Sequence, residues 1–131
     1  MNPPRRPSPS RVASFRYAFG GIGYLLRTQP NARIHAAFTL AVLILGVWLN
    51  LTCTTWAILM LAIGLVWTAE SFNTALEAVV DLASPTLHPL AQIGKDVSAA
   101  AVLMAAITAL VVGALVLGPP LCAKILSVIR Y

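Results

Sequence analysis

Glu70, Asn73, Glu77 and Asp81 stand on one short stretch, "ESFNTALEAVVD", and Lys95 and Asp96 follow as a pair. At about 100° per residue along a helix, Asn73, Thr74, Glu77 and Asp81 all fall within roughly 60° of Glu70, so the polar groups form one stripe. The chain has four acidic residues, and all of them lie here. Carboxylates one or two helical turns apart can divide the work of phosphoryl transfer. One can coordinate Mg²⁺ through oxygen while another accepts a proton from an attacking hydroxyl. A cation must neutralise phosphate charge. Lys95 is the natural cation and Asn73 a neutral group able to orient phosphate or ligand. Two other readings use the same residues: a helix end that protrudes into water with its carboxylates paired to Lys95 or nearby arginines, or a transport path with Glu70 as proton or cation carrier.

The stripe continues the apolar run "TWAILMLAIGLVWTA" with no turn signal between them, so one helix should carry it out of a membrane-like segment. Glu70, deepest of the acids, is expected near the hydrocarbon boundary, where an ionisable group is costly and a functional candidate by default. The composition agrees: 59% hydrophobic and 10% charged over 131 residues, which indicates a bilayer as solvent. Three apolar segments follow one another, at about 34–51, 55–80 and 97–117, the last closed by the breaker "GPP" at 118–120 and followed by a C-terminal tail, 118–131. Each can supply the roughly 20 residues a spanning helix needs. The uncharged "NLTCT" joins the first two as a tight antiparallel hairpin, and "LASPTLHPLAQIGK" (82–95) links the second and third. Ahead of them, residues 12–28 mix aromatic and aliphatic side chains with Arg16 and Arg27, as an amphipathic helix on a membrane surface would. Residues 1–11 read as a disordered basic tail and lack the apolar core of a secretory signal.

Six arginines, at 5, 6, 11, 16, 27 and 33, precede the first span and share a side with Lys95, while Lys124 and Arg130 fall opposite. This asymmetry predicts a cytoplasmic N-terminus. The net charge of +5 suits anionic lipid headgroups and brings no nucleic-acid motif with it. Cys53 and Cys122 form no metal or redox motif. "GGIG" at 20–23 has neither the preceding strand nor the Lys-Ser/Thr of a phosphate loop and reads as close helix packing.

Residues 70–107, "ESFNTALEAVVDLASPTLHPLAQIGKDVSAAAVLMAAI", closely resemble the signature of the prokaryotic integral-membrane diacylglycerol kinase and undecaprenol kinase family, E-x-x-N-[ST]-A-[IL]-E-x-x-V-D followed by H and K-D. The likeness extends from about Phe15 to about Leu117. It implies an all-α membrane protein, a homotrimer of three-span subunits each with a surface helix, in the bacterial inner membrane. The implied activity is phosphorylation of a lipid hydroxyl by ATP and Mg²⁺ at the cytoplasmic face. By position, the resemblance assigns Glu70 as the catalytic base and Glu77 as a metal ligand that reaches the nucleotide phosphates. It places Asn73, Lys95 and Asp96 in the active site, makes Tyr17 an aromatic nucleotide contact, and brings Thr86, Leu87 and His88 to ATP through the interhelical loop. Taken alone, Tyr17 reads as an interface tyrosine and His88 as an ordinary loop histidine.

One residue departs from the pattern. Where the family commonly has a glutamate that completes the metal site, this chain has Gln29, whose amide oxygen can coordinate Mg²⁺ without supplying charge. Arg33 and His35 follow at the family spacing. A non-catalytic membrane scaffold that keeps the kinase fold is the alternative that Gln29 supports. Between lipid substrates, "PTLHPLAQIGKDV" and "RIH" look more like the undecaprenol kinase branch than the diacylglycerol kinase one.

Overall fold

A computed structural model describes residues 10–86 and 88–129, which form four helices: α1 (Arg11–Thr28), α2 (Pro30–Trp48), α3 (Cys53–Ala83) and α4 (Pro89–Ile129). Every described element is helical, and α2, α3 and α4 are each long and apolar enough to cross a membrane. The chain is a multi-pass membrane protein. The basic tail expected at 1–11 lies outside the described residues up to residue 9, and Arg11 already belongs to α1.

Local chemistry sets the helix ends. Ser10 caps α1, its hydroxyl accepting from the Ala13 N–H at 3.3 Å, which satisfies one of the orphan donors of a first turn. Helix α1 stops at Gln29, whose extended backbone (φ −102°, ψ 112°) is what the following proline imposes on its neighbour. Pro30 then opens α2, a position where its missing N–H costs nothing. Arg33, one turn into α2, reaches back to donate from Nε to the Leu26 carbonyl at 2.9 Å and from Nη2 to the Arg27 carbonyl at 2.5 Å. It thereby satisfies carbonyls that α1 leaves open at its C-terminus and staples α1 to α2.

The α2–α3 hairpin forms as the sequence predicts, and its turn has a definite mechanism. Asn50 takes a left-handed conformation, φ 54°. The Leu51 N–H bonds the Gly46 carbonyl at 3.3 Å and the Asn50 N–H bonds the Val47 carbonyl at 3.1 Å, the paired closure of a Schellman end. Thr52 caps α3 by accepting from the Thr55 N–H at 3.3 Å. Gly46 lets Trp56 lie against the α2 backbone, since a Cβ there would fall 2.6 Å from the Trp56 ring. Farther along, Trp67 Nε1 donates to Thr39 Oγ1 at 3.1 Å and ties α2 to α3.

Three expectations from the sequence are revised. The link between the second and third spans is residues 84–88, shorter than the expected 82–95, so Lys95 and Asp96 stand on α4 rather than in a loop. Pro89 starts that helix, and His88 precedes it as a cap, its Nδ1 accepting from the Leu90 N–H at 3.2 Å. The "GPP" segment does not end the helix: α4 runs through Pro119 and Pro120 to Ile129. Two prolines remove the N–H groups that would bond the carbonyls of Leu115 and Val116, but the apolar run resumes at once in "LCAKILSVI", whose amides rebuild the ladder. The first span likewise begins and ends earlier than expected, at Pro30–Trp48.

Little of the molecule is buried within one chain. Leu59 and Val66 of α3, Val102, Ala105 and Leu117 of α4, and Leu25 and Ala32 of the first two helices make the apolar core. Large apolar side chains such as Leu61, Phe72 and Leu115 are more than two-thirds exposed, as helices solvated by lipid allow.

Candidate functional site

The polar stripe of α3 faces α4 at one end of this bundle. Among the buried polar or charged residues are Glu70, Asn73 and Thr74, exposed to 1%, 8% and 7%. Their spacing puts all three on the face predicted from the sequence. Glu70 is the most deeply buried of them, and among the described residues its Oε2 has no hydrogen-bond partner, nor have Thr74 Oγ1 and His35 Nε2, which are buried as well. His35, from α2, and Glu77, two turns on, are the ionisable groups in electrostatic reach of Glu70. Taking an unpartnered carboxylate out of water costs several kcal/mol, so each of these three atoms calls for a partner that the described residues do not supply.

A hydrogen-bonded chain leads outward from there. Asn73 Nδ2 donates to Glu77 Oε1 at 3.2 Å, and the Ser98 hydroxyl, from α4, donates to Asn73 Oδ1 at 2.7 Å. One turn further, Lys95 pairs with Asp81 at 2.5 Å. That pair is half in solvent, with side chains 33% and 64% exposed, so it contributes at most about 1 kcal/mol to the fold.

Beyond it opens a cleft of about 470 Å³ lined by Asp81, Thr86, His88, Gln92 and Lys95 among others. Thr86 is held there through its carbonyl, which accepts from the Ser84 hydroxyl at 2.9 Å. Asp96 does not line the cleft, but it accepts from Nε2 of Gln92, which does, at 2.7 Å. Thus the structure gathers Glu70, Asn73 and Glu77 into one cluster and Thr86, His88 and Lys95 around an adjoining cleft. Leu87 lies outside the described residues. Tyr17 is exposed on α1 beneath the Arg16 guanidinium, 5.5 Å from its ring centre, and no hydrogen bond joins it to the stripe among the described residues. Gln29 sits at the α1–α2 junction, and its side chain makes no capping bond.

Does this donor set fit Mg²⁺? Among the described residues no group of three His, Cys, Asp or Glu side chains is placed to hold a metal. Mg²⁺ needs no such cage, because it keeps several waters and binds through one or two carboxylates plus substrate phosphates. Glu77 is suited to that role. It is partly buried, one of its oxygens is held by Asn73, and the cleft that could admit a phosphate chain begins one turn further along α3, at Val80 and Asp81.

Sequence reasoning missed Ser98, Arg33 as a helix staple, and the orphaned Thr74. Thr74 was visible in the stripe but had no charge to draw attention; Ser98 lies on another helix, and no periodicity of α3 could reveal it.

Comparison with known proteins agrees with this geometry. The profile of the prokaryotic diacylglycerol kinase family matches residues 16–117. A diacylglycerol kinase of Synechocystis sp. is 46% identical over 115 residues, covering 87% of this chain and 66% of that protein, a little under two-thirds of its length. An undecaprenol kinase of Bacillus subtilis is 41% identical over 108 residues, covering 82% of this chain and 88% of its own. A diacylglycerol kinase of Escherichia coli is 30% identical over 95 residues, covering 72% of this chain and 78% of its own. With nearly all of its helical part matched and the polar stripe assembled as described, the chain belongs to the prokaryotic diacylglycerol kinase family, whose named members here are lipid kinases.

Proposed function

We propose that this protein is an ATP-dependent kinase of a membrane lipid alcohol, acting at the cytoplasmic face. The observation that carries this reading is Glu70, a carboxylate exposed to 1% and with an unpartnered oxygen, set deep in a bundle of spanning helices. A buried base there can meet a hydroxyl that comes from the bilayer. The lipid O–H attacks the γ-phosphorus of ATP, a new O–P bond forms, the bond to the β-phosphate oxygen breaks, and ADP leaves. Glu70 takes the hydroxyl proton. His35 and Thr74, whose polar atoms are otherwise unpartnered, hold the acceptor oxygen. Glu77, with Gln29 contributing its amide, is the residue to hold Mg²⁺, which when bound neutralises phosphate charge. Asn73 keeps Glu77 oriented, and Lys95 exchanges Asp81 for phosphate oxygens when nucleotide enters the cleft it shares with Thr86, Leu87 and His88. Asp96 borders the same side, and Tyr17 stacks on the nucleotide from α1.

Several features support the setting. Val12, Phe15, Phe19, Ile22 and Leu26 are exposed on α1 at alternating three- and four-residue spacing, as a helix lying on the membrane surface requires. Seven of nine basic residues share the N-terminal side, which supports a cytoplasmic N-terminus in the bacterial inner membrane. The apolar faces left open by all three spans, and the small residues of "VSAAAVLMAAITA" on α4, support a homotrimer.

Undecaprenol is the preferred acceptor in this reading, on the strength of "PTLHPLAQIGKDV" and of His35 beside Glu70. Diacylglycerol is the second reading, favoured by the name of the relative in Synechocystis sp.. Phosphate transfer from radiolabelled ATP to each lipid, assayed side by side in the same detergent, tests both. Transfer to undecaprenol is expected, and transfer to neither lipid would overturn the kinase reading.

A further inference from the structure

Asn73 presents a problem of orientation. The two ends of a carboxamide are alike in size and opposite in hydrogen-bonding sense, and turned over, Asn73 would aim its carbonyl oxygen at the Glu77 carboxylate. Something must hold the amide the right way round. The Ser98 hydroxyl stands 2.7 Å from Asn73 Oδ1 and 2.8 Å from the Lys95 carbonyl, with one proton to give. The Lys95 carbonyl lies inside α4 and is already served by the helix ladder. Asn73 Oδ1 has no other donor among the described residues, and its residue is 8% exposed, so water is a poor substitute. The proton therefore belongs to Asn73.

We propose that Ser98 is a positioning residue: by donating to Asn73 Oδ1 it fixes the amide so that Nδ2 holds Glu77 in the orientation that binds Mg²⁺ with nucleotide. It acts across the α3–α4 interface, so metal affinity is coupled to the seating of α4 on α3. Partners that orient a ligating carboxylate influence metal binding although they never touch the metal. The inference rests on the kinase reading, in which Glu77 is the metal ligand.

The test is a Mg²⁺ titration of nucleotide binding, followed with a fluorescent ATP analogue on the full chain in detergent micelles without lipid. Lipid phosphorylation kinetics and the thermal unfolding midpoint are measured alongside. Ser98→Ala is expected to raise the half-saturating Mg²⁺ concentration about three- to tenfold, the effect of one lost hydrogen bond. It should raise the KM for MgATP in step and restore kcat at saturating Mg²⁺, while the unfolding midpoint falls by several degrees because a buried amide oxygen loses its donor, so the Mg²⁺ response of the folded protein and not the midpoint is the deciding readout. Ser98→Thr, which keeps the hydroxyl, should recover most of the Mg²⁺ response. In an Asn73→Ala background, Ser98→Ala should add nothing further. An unchanged Mg²⁺ titration in Ser98→Ala, or an equal effect with and without Asn73, would overturn the inference while wild-type activity keeps the kinase reading in place. A wild-type protein that phosphorylates neither lipid would remove that reading itself.

Discussion

The two ends of the α2–α3–α4 bundle are joined by different chemistry. Around the α2–α3 turn the contacts are aromatic and aliphatic: Trp56 lies on Gly46, Lys124 caps the Trp48 ring at 5.6 Å, and Asn50 closes a Schellman turn. Around the α3–α4 link they are polar: a buried glutamate, an amide bridging a serine to a second glutamate, and an exposed ion pair. The first end can be explained wholly as packing. The second keeps orphaned polar atoms that packing alone would have eliminated, which is why the proposed chemistry is assigned to it.

Breaking the polar end should therefore cost activity without costing the fold. The largest effect is expected for Glu70→Gln, which preserves size and polarity but removes the base. The rate of lipid phosphorylation should fall about 10²–10⁴-fold, with nucleotide binding retained in a fluorescence titration. Next comes Glu77→Gln. Its half-saturating Mg²⁺ should rise by about tenfold or more, with partial rescue by Mn²⁺ or excess Mg²⁺, because the metal site rather than the proton acceptor is weakened.

At the apolar end the signs reverse. Gly46→Ala should lose about 1 kcal/mol of stability, since overpacking against Trp56 costs about 1–3 kcal/mol and helix propensity returns about 1. Thermal unfolding in detergent would show it, while kcat per folded molecule stays at the wild-type value. The smallest change is expected for Asp81→Asn, because a pair so open to solvent contributes about 0–1 kcal/mol. An unfolding midpoint that falls as far as in Gly46→Ala would show that this ion pair holds the bundle together, and the contrast between the ends would blur.

Much of the helical plan could be read from the chain, because lipid demands long apolar runs and the stripe from Glu70 to Asp81 obeys a 3.6-residue period. The uncharged "NLTCT" marked the turn between the first two spans, which the structure places at residues 49–52. What escaped depended on competition between local and longer-range terms. The "GPP" segment looks like a stop, yet the apolar residues beyond it carry α4 onward. Lys95 looks like a loop residue because two prolines precede it, yet Pro89 starts a helix rather than interrupting one. At the site, Glu70, Asn73 and Glu77 were legible because they share one helix. Ser98 was not, since its role exists only once α4 lies against α3. His88, a nucleotide contact by resemblance, is seen capping α4.

Helix α3 is 31 residues long, about 46 Å along its axis, whereas the hydrocarbon layer is about 30 Å thick. The surplus, about 16 Å, matches the axial distance from Glu70 to Asp81. A bilayer a few ångströms thicker would draw Glu70 further into hydrocarbon, and a thinner one would lift it toward the headgroups. Bilayer thickness thus sets how dry Glu70 is, and if the proposed function holds, the choice of host lipid becomes a variable of the reaction in its own right.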